Sequence, residues 1–153
     1  MILETLKELN ISYKQVSHAP FYTMEDAQKI ESLIKGQMCK NLFLRNKQNY
    51  YILVLKGNKR ANLKQISKEL GISHLYFGTD SELEKLNLYT GCVNPLSIAY
   101  DTENRVTVLL DSELENLLLL FHPNDNTITV SIDYRDLLNY LEYYHHEYKL
   151  LKI

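Results

Sequence analysis

A lysine on the apolar face of a strand constrains this chain more than any other feature of its sequence. Lys40 opens the run Lys-Asn-Leu-Phe-Leu-Arg-Asn-Lys-Gln-Asn-Tyr-Tyr-Ile-Leu-Val-Leu, which ends at Leu55. The run predicts two strands joined by a polar turn at Asn46–Asn49. The second strand, Tyr50–Leu55, is apolar throughout and is expected to be buried on both faces. The first alternates, so Lys40 shares a face with Leu42 and Leu44. An ammonium in that position is costly unless it ends in a cavity or meets a partner. The competing reading is that Lys40, at the first position of its strand, snorkels to water, as most lysines do.

The chain before the hairpin predicts a helix with Ile2, Leu3, Leu6 and Leu9 on one face and Asn10 at its end. A short strand at Ser12–Ser17 leads to His18-Ala-Pro20. Thr23-Met-Glu-Asp26 forms a capping box that opens a helix to about Ile30. After the hairpin come a tight polar loop, Lys56–Arg60, and a helix carrying Leu63, Ile66 and Leu70 with Gly71 at its close. Leu75–Phe77 is expected as a short strand, and Thr79-Asp-Ser-Glu82 caps a helix to about Leu88. Strands are expected at Ser97–Tyr100 and Arg105–Leu110, joined by a turn at Asp101–Asn104. Ser112–Glu115 is expected to cap an apolar helix to about Leu120, with Ile128–Ile132 as the final strand. A closing helix then contains Leu137, Leu138 and Leu141, and the tail from Tyr143 to Ile153 has no assigned structure. Helices interleave with strands that are partly hairpin neighbours, which predicts an α+β fold. Its sheet is mixed, curled and barrel-like, surrounded by helices.

A chain of 153 residues is expected to form one domain, residues 1–153. Its formal net charge of −2 gives no global attraction to a polyanion, so nucleic acid would have to meet a local patch. The one dense basic cluster is Lys56, Lys59, Arg60, Lys64 and Lys68, on a loop and helix directly after the hairpin; the alternative for it is a solvated helix face. No apolar run approaches the roughly 20 residues that span a bilayer, and the start is an amphipathic helix rather than a signal peptide. Two cysteines, Cys39 and Cys92, lack any metal-ligand or CxxC spacing and suggest reduced thiols in the cytoplasm. The sequence contains no GxSxG, Walker, GxGxxG or HExxH motif. His145-His146 suggests a solvated pair in a helix-like tail. The 12 tyrosines are scattered, which favours core edges and surface over a stacking platform.

Three segments are poorly explained by packing: Lys40-Asn41, Gly91-Cys-Val-Asn-Pro95, and Phe121-His-Pro-Asn-Asp-Asn-Thr127 with its His122-Pro123-Asn124 centre. In this order and spacing they resemble the YbaK/ProX family, free-standing relatives of the editing domain of bacterial prolyl-tRNA synthetase. The last segment is most similar to the ProX (ProXp-ala, PrdX-like) branch. That resemblance implies a trans-acting aminoacyl-tRNA deacylase that removes alanine from tRNA specific for proline, with no metal, cofactor or protein nucleophile. It implies tRNA as partner and, beyond it, prolyl-tRNA synthetase. By motif position, Lys40 engages the phosphate of the terminal adenosine and Asn41 is its polar neighbour. Gly91, with Cys92, Val93, Asn94 and Pro95, lines the amino-acid pocket. His122 sits by the substrate with Asn124 in its motif. The loop departs from the family where Pro95 precedes Leu96-Ser97.

The residue types suit that chemistry. An aminoacyl ester is already activated, so a held water and a stabilised oxyanion can suffice. A lysine serves as a point-charge anchor for phosphate. His122 reads either as a general base or as an imidazole held by its turn. Two other readings stand beside this one: a YbaK-type deacylase specific for cysteine, and a non-catalytic tRNA-binding module.

Overall fold

The computed structural model describes residues 1–47 and 49–153, with Gln48 outside the description and Met24 described by its backbone only. The hairpin forms as expected. Strand β2 (Gln37–Asn46) pairs antiparallel with β3 (Asn49–Lys56), in a register that sets Lys40 opposite Leu55 and Asn41 opposite Val54. Their turn includes Gln48 and so lies partly outside the described residues. Ile52 to Leu55 are fully buried. Period-two alternation divides β3 between two cores: Ile52 and Val54 join the larger cluster, while Leu53 and Leu55 join a smaller one under Ile66.

Helix α1 (Ile2–Glu8) ends with Asn10 at φ 57°, and β1 (Lys14–Ser17) follows. Helix α2 (Met24–Leu33) begins at the expected capping box, Thr23 and Asp26 satisfying each other's backbone N–H groups, and runs three residues past Ile30. After the hairpin, α3 (Leu63–Leu70) closes on Gly71 at φ 71°. A two-residue strand, β4 (Tyr76–Phe77), leads to α4 (Asp80–Lys85), again with a complete capping box. Strand β5 (Val106–Asp111), β6 (Leu118–Phe121), β7 (Ile128–Asp133), α5 (Tyr134–Tyr143) and β8 (Tyr148–Leu151) complete the order.

The sheet has eight strands in the order β1-β7-β6-β2-β3-β5-β8, with β4 attached to β2. Three of the pairs are parallel (β2–β6, β3–β5, β5–β8) and the others antiparallel, so the sheet is mixed and the fold α+β. Its strand path has two ends, so it is open rather than a closed barrel. One edge of β2 meets β6 only at Gln37–Met38 and β4 only at Leu44–Arg45. Between them, among the described residues, positions 39–43 pair with no strand on that edge, and Lys40 and Asn41 fall in this gap.

Four expectations are corrected. Ser97–Tyr100 is not a strand but part of a 3-10 helix, Pro95–Tyr100. Asn94 caps it and Pro95 supplies the preset φ of a first helical residue, while Pro95 to Ala99 are all buried. The apolar helix expected from Ser112 to Leu120 is a 3-10 turn, Ser112–Leu114, followed by β6. Asn116 at φ 64° breaks the helical path, and a short run of leucines fits a buried strand as well as a helix. The strand at Ile128 is not the last, because the tail returns as β8 beside β5. His146 is not solvated: it is 5% exposed, and its Nε2 lies 2.9 Å from Asp101 Oδ2. Asp101 also accepts the N–H of Val106, so this pair ties the tail to the turn that starts β5. No helix among the described residues is long and apolar enough to cross a membrane.

Candidate active site

Where β2 lacks a neighbour, a cavity of about 450 Å³ opens, lined in part by Lys40, Asn41, Gly91, Cys92, Val93, Asn94 and His122. Seven of the residues singled out from sequence therefore meet in one place, although they come from three distant segments. Phe21, Ala27, Glu31, Gln37, Met38, Cys39, Gly57 and Asn58 complete the wall. Its size lies within the range of small-molecule sites, roughly 300–1,000 Å³. A second, more open depression, lined by Glu84, Asn87, Leu88, Tyr89, Tyr100 and Asn124, holds only Asn124 of the residues singled out from sequence.

Lys40 does not snorkel. Its Nζ donates to the carbonyl oxygen of Lys59 at 2.7 Å while the side chain borders the cavity. One N–H is thus spent on the 56–60 loop and two remain for a ligand. The loop is held in turn by Gly57 N–H on Met38 O at 2.8 Å. Lys59 departs from the expected tRNA surface. Its ammonium turns inward to Asp111 Oδ2 at 2.5 Å, Glu113 Oε2 at 2.8 Å and the carbonyl of Ile153. Lys59 therefore fixes the carbonyl that holds Lys40. Arg60, Lys64 and Lys68 are exposed beyond the cavity rim, and Lys56 is half-buried.

Asn41 lines the cavity, and its Oδ1 is buried with no hydrogen-bond partner among the described residues. Such an orphaned acceptor costs about 1–3 kcal/mol when left unmade. It marks where a ligand N–H or O–H can bind.

The Gly91–Pro95 loop is shaped by its own polar groups. Gly91 adopts φ +89°, and a Cβ there would meet nothing within 4 Å. The glycine is required by backbone conformation rather than by space. Asn94 is 2% exposed; its Nδ2 donates to Cys92 O at 2.9 Å and His122 O at 2.7 Å, and its Oδ1 accepts from Leu96 N. Expected as a substrate contact, Asn94 spends both amide hydrogens inside the protein and fastens the loop to the His122 segment. Pro95 and Asn124 are absent from the cavity wall. Pro95 starts the 3-10 helix, and Asn124, at φ 56°, accepts the Ser97 hydroxyl at 3.1 Å.

His122 follows directly on β6 and stands beside Phe21, ring centroids 5.3 Å apart. Burial holds its imidazole below the usual histidine range, and His18 nearby adds to the effect against the opposing bond to Ile128 O. Neutral imidazole is therefore the favoured form. Burial pushes the Cys39 thiol up to about 12, and burial together with Asp125 pushes Cys92 up as well. Neither thiol has the depressed pKa of a nucleophile. Among the described residues no three histidine, cysteine, aspartate or glutamate side chains form a potential metal-ligand group.

Sequence reasoning passed over Phe21, Glu31, Gly57 and Asn58, and treated His18 only as an approach to the site. The His-x-x-Phe spacing of His18 and Phe21 was the available signal, but its partners lie about a hundred residues away. Residues 18–140 match the family described as the aminoacyl-tRNA editing domain. The chain is 34% identical over 140 residues to the prolyl-tRNA editing protein ProX of Acetoanaerobium sticklandii, covering 89% of this chain and 85% of that one. It is 36% identical over 144 residues to prolyl-tRNA synthetase associated domain-containing protein 1 of Danio rerio, covering 91% and 78%. In fold it is similar to the crystal structure of a candidate trans-editing enzyme for prolyl tRNA synthetase, with a TM-score of 0.74 at 20% identity over 99% and 92% of the two chains. With its motifs gathered at one cavity and its sequence matched from His18 to Tyr140, the chain belongs to the aminoacyl-tRNA editing domain family.

Proposed function

We propose that the protein is a trans-acting hydrolase that removes alanine from mischarged tRNA specific for proline. The observation that carries this reading is the convergence of Lys40, Asn41, His122 and the Gly91 loop on one cavity. Lys40, held on Lys59 O, offers two N–H groups to the terminal phosphate. The unpartnered Asn41 Oδ1 accepts from the α-ammonium of the aminoacyl group. Within the loop, the N–H of Cys92 is spent on Tyr89 O at 3.4 Å, which leaves those of Gly91 and Val93 for the oxyanion. Water adds to the ester carbonyl, its proton going to His122 Nε2 or to the neighbouring ribose hydroxyl as that group hands its own proton to the 3′ oxygen. The C–O bond to the 3′ oxygen breaks, that oxygen keeps the relayed proton or takes the one held by His122, and alanine leaves. This path uses neither thiol and calls on no metal. It rests on positioning and on dipoles aimed at developing charge.

Preference for alanine requires the amino-acid end of the cavity to reject the larger proline ring sterically. Apolar contact alone separates neighbours by only ~1–3 kcal/mol per methylene. The test is a deacylation panel of alanyl-, cysteinyl- and prolyl-tRNA specific for proline. Fast release of alanine, with prolyl-tRNA intact, is expected. Preference for cysteine would move the protein to the YbaK-type reading, and no turnover of any substrate would leave a tRNA-binding module. A parallel substrate lacking the neighbouring ribose hydroxyl should bind normally and turn over far more slowly.

A further inference from the structure

His18 lies outside the cavity wall, yet it is joined to His122 through a single buried hydroxyl. Thr129 Oγ1, on the fully buried Thr129 of β7, is 2.7 Å from His18 Nε2 and 3.2 Å from His122 Nδ1. His122 Nδ1 also faces Ile128 O at 3.1 Å, and His18 Nδ1 faces Ala19 O at 2.8 Å. The two rings meet edge to face, centroids 5.8 Å apart. His18 itself is fastened by its N–H on Thr127 O at 2.8 Å.

The proton positions follow from the partners. A carbonyl oxygen only accepts, which favours the Nδ1 proton on each ring; at His122 the Ile128 carbonyl shares that role with the Thr129 hydroxyl, so the two together set the tautomer. Neutral His18 then offers Nε2 as an acceptor, and the Thr129 hydroxyl donates to it. The hydroxyl's lone pairs are left for the His122 Nδ1–H, which it shares with Ile128 O. Every proton is assigned once and no two donors collide. A hydroxyl that donates to one partner becomes a better acceptor toward another.

We infer that His18 is a positioning residue for His122. By accepting the Thr129 O–H hydrogen bond, it orients that hydroxyl as an acceptor for His122 Nδ1–H and leaves His122 Nε2 unprotonated toward the cavity. Its kinetic consequence rests on the deacylase reading above; its effect on the His122 proton does not. Thr129 is the link, and neither His18 nor Thr129 touches the substrate.

The experiment labels the imidazole nitrogens with ¹⁵N and reads the tautomer of His122 in wild type, His18→Leu, Thr129→Val and Thr129→Ser. Wild type should show His122 protonated at Nδ1. Both His18→Leu and the near-isosteric Thr129→Val should raise the Nε2-protonated fraction, whereas Thr129→Ser restores the wild-type spectrum. On alanyl-tRNA, each of the first two should lower kcat about tenfold with KM unchanged, part of the 10²–10⁴ a general base contributes. Their double variant should lose no more than either alone, as expected for one chain of bonds. A His122 tautomer unchanged in folded His18→Leu and Thr129→Val would overturn the inference, whatever the activity. If wild type hydrolyses no aminoacyl-tRNA but the tautomer shifts as stated, the positioning role stands and the deacylase reading falls.

Discussion

Lys40 carries one bond to the protein and two donors toward the cavity, so its removal should fall on the substrate rather than on the fold. A hydrogen bond to a charged group contributes about 1.5–3 kcal/mol. Lys40→Ala should therefore lower kcat/KM roughly ten- to hundredfold while circular dichroism and thermal midpoint stay near wild type. Unchanged turnover would mean that the ammonium serves only Lys59 O. His122 separates two roles. If it is the base, His122→Ala loses rate with specificity intact; if it guards the pocket, the variant keeps alanyl-tRNA activity and begins to cleave prolyl-tRNA. As a base with a depressed pKa, it stays neutral as pH falls through the ordinary histidine value of about 6.5. The acidic limb of kcat/KM should then lie below that value. The same shift makes the unfolded chain bind the proton more readily, so this group's contribution to stability, complete above the unfolded value, is lost as pH falls from that value through the lower folded one. Cys92→Ser should keep most of the activity, checked with a thiol alkylating reagent on wild type, because the raised thiol pKa leaves little thiolate to react.

The Gly91–Pro95 loop and the 3-10 helix behind it depend on Asn94. Asn94→Ala strips the side-chain donor from His122 O and the acceptor from Leu96 N–H, while Cys92 O keeps the Ser97 hydroxyl at 3.3 Å. It should cost about 1–3 kcal/mol of stability in denaturant titration, with kcat falling because His122 loses its tether to the loop. Retained stability and full activity would show that the loop holds its shape without that side chain. Asn94 also marks where sequence reading stopped. Capping boxes at Thr23 and Thr79, the central hairpin and the Gly71 helix end were readable because each signal is local and has one structural meaning. Ser97–Tyr100 and Leu117–Leu120 were not, since such short, mostly apolar runs have no period to read and tertiary partners decide their conformation. β8 escaped because only Leu151 of its four residues is buried, so its burial has no period to read, and its partner β5 lies some forty residues back in the chain. The cavity wall divides similarly. Lys40, Gly91 and His122 stood out through motif and spacing, whereas Glu31 and Asn58 reach the cavity only through the packing of α2 and the 56–60 loop.

A chain with formal charge −2 must concentrate its attraction for RNA, and the basic stretch after β3 contains two kinds of lysine. Lys64 and Lys68 stand one turn apart on α3, exposed, with Arg60 exposed at the loop's end. Lys59 instead serves Asp111, whose side chain is fully buried, and positions the carbonyl under Lys40. The two kinds should separate by salt. Each phosphate contact steepens the dependence of log K on log salt by about 0.7–0.9. Lys64→Glu with Lys68→Glu should raise KM for alanyl-tRNA, flatten its salt dependence by more than one such step, and leave kcat and stability near wild type. Lys59→Met should do the reverse. Asp111 loses its cation, although it keeps the Glu113 N–H; with Lys59 partly exposed, the loss should be about 1–3 kcal/mol of stability. The loop carbonyl then loosens, kcat falls with Lys40 displaced, and the salt slope stays as in wild type. A Lys59→Met variant that flattened the salt slope and kept its stability would instead make Lys59 part of the RNA-facing surface.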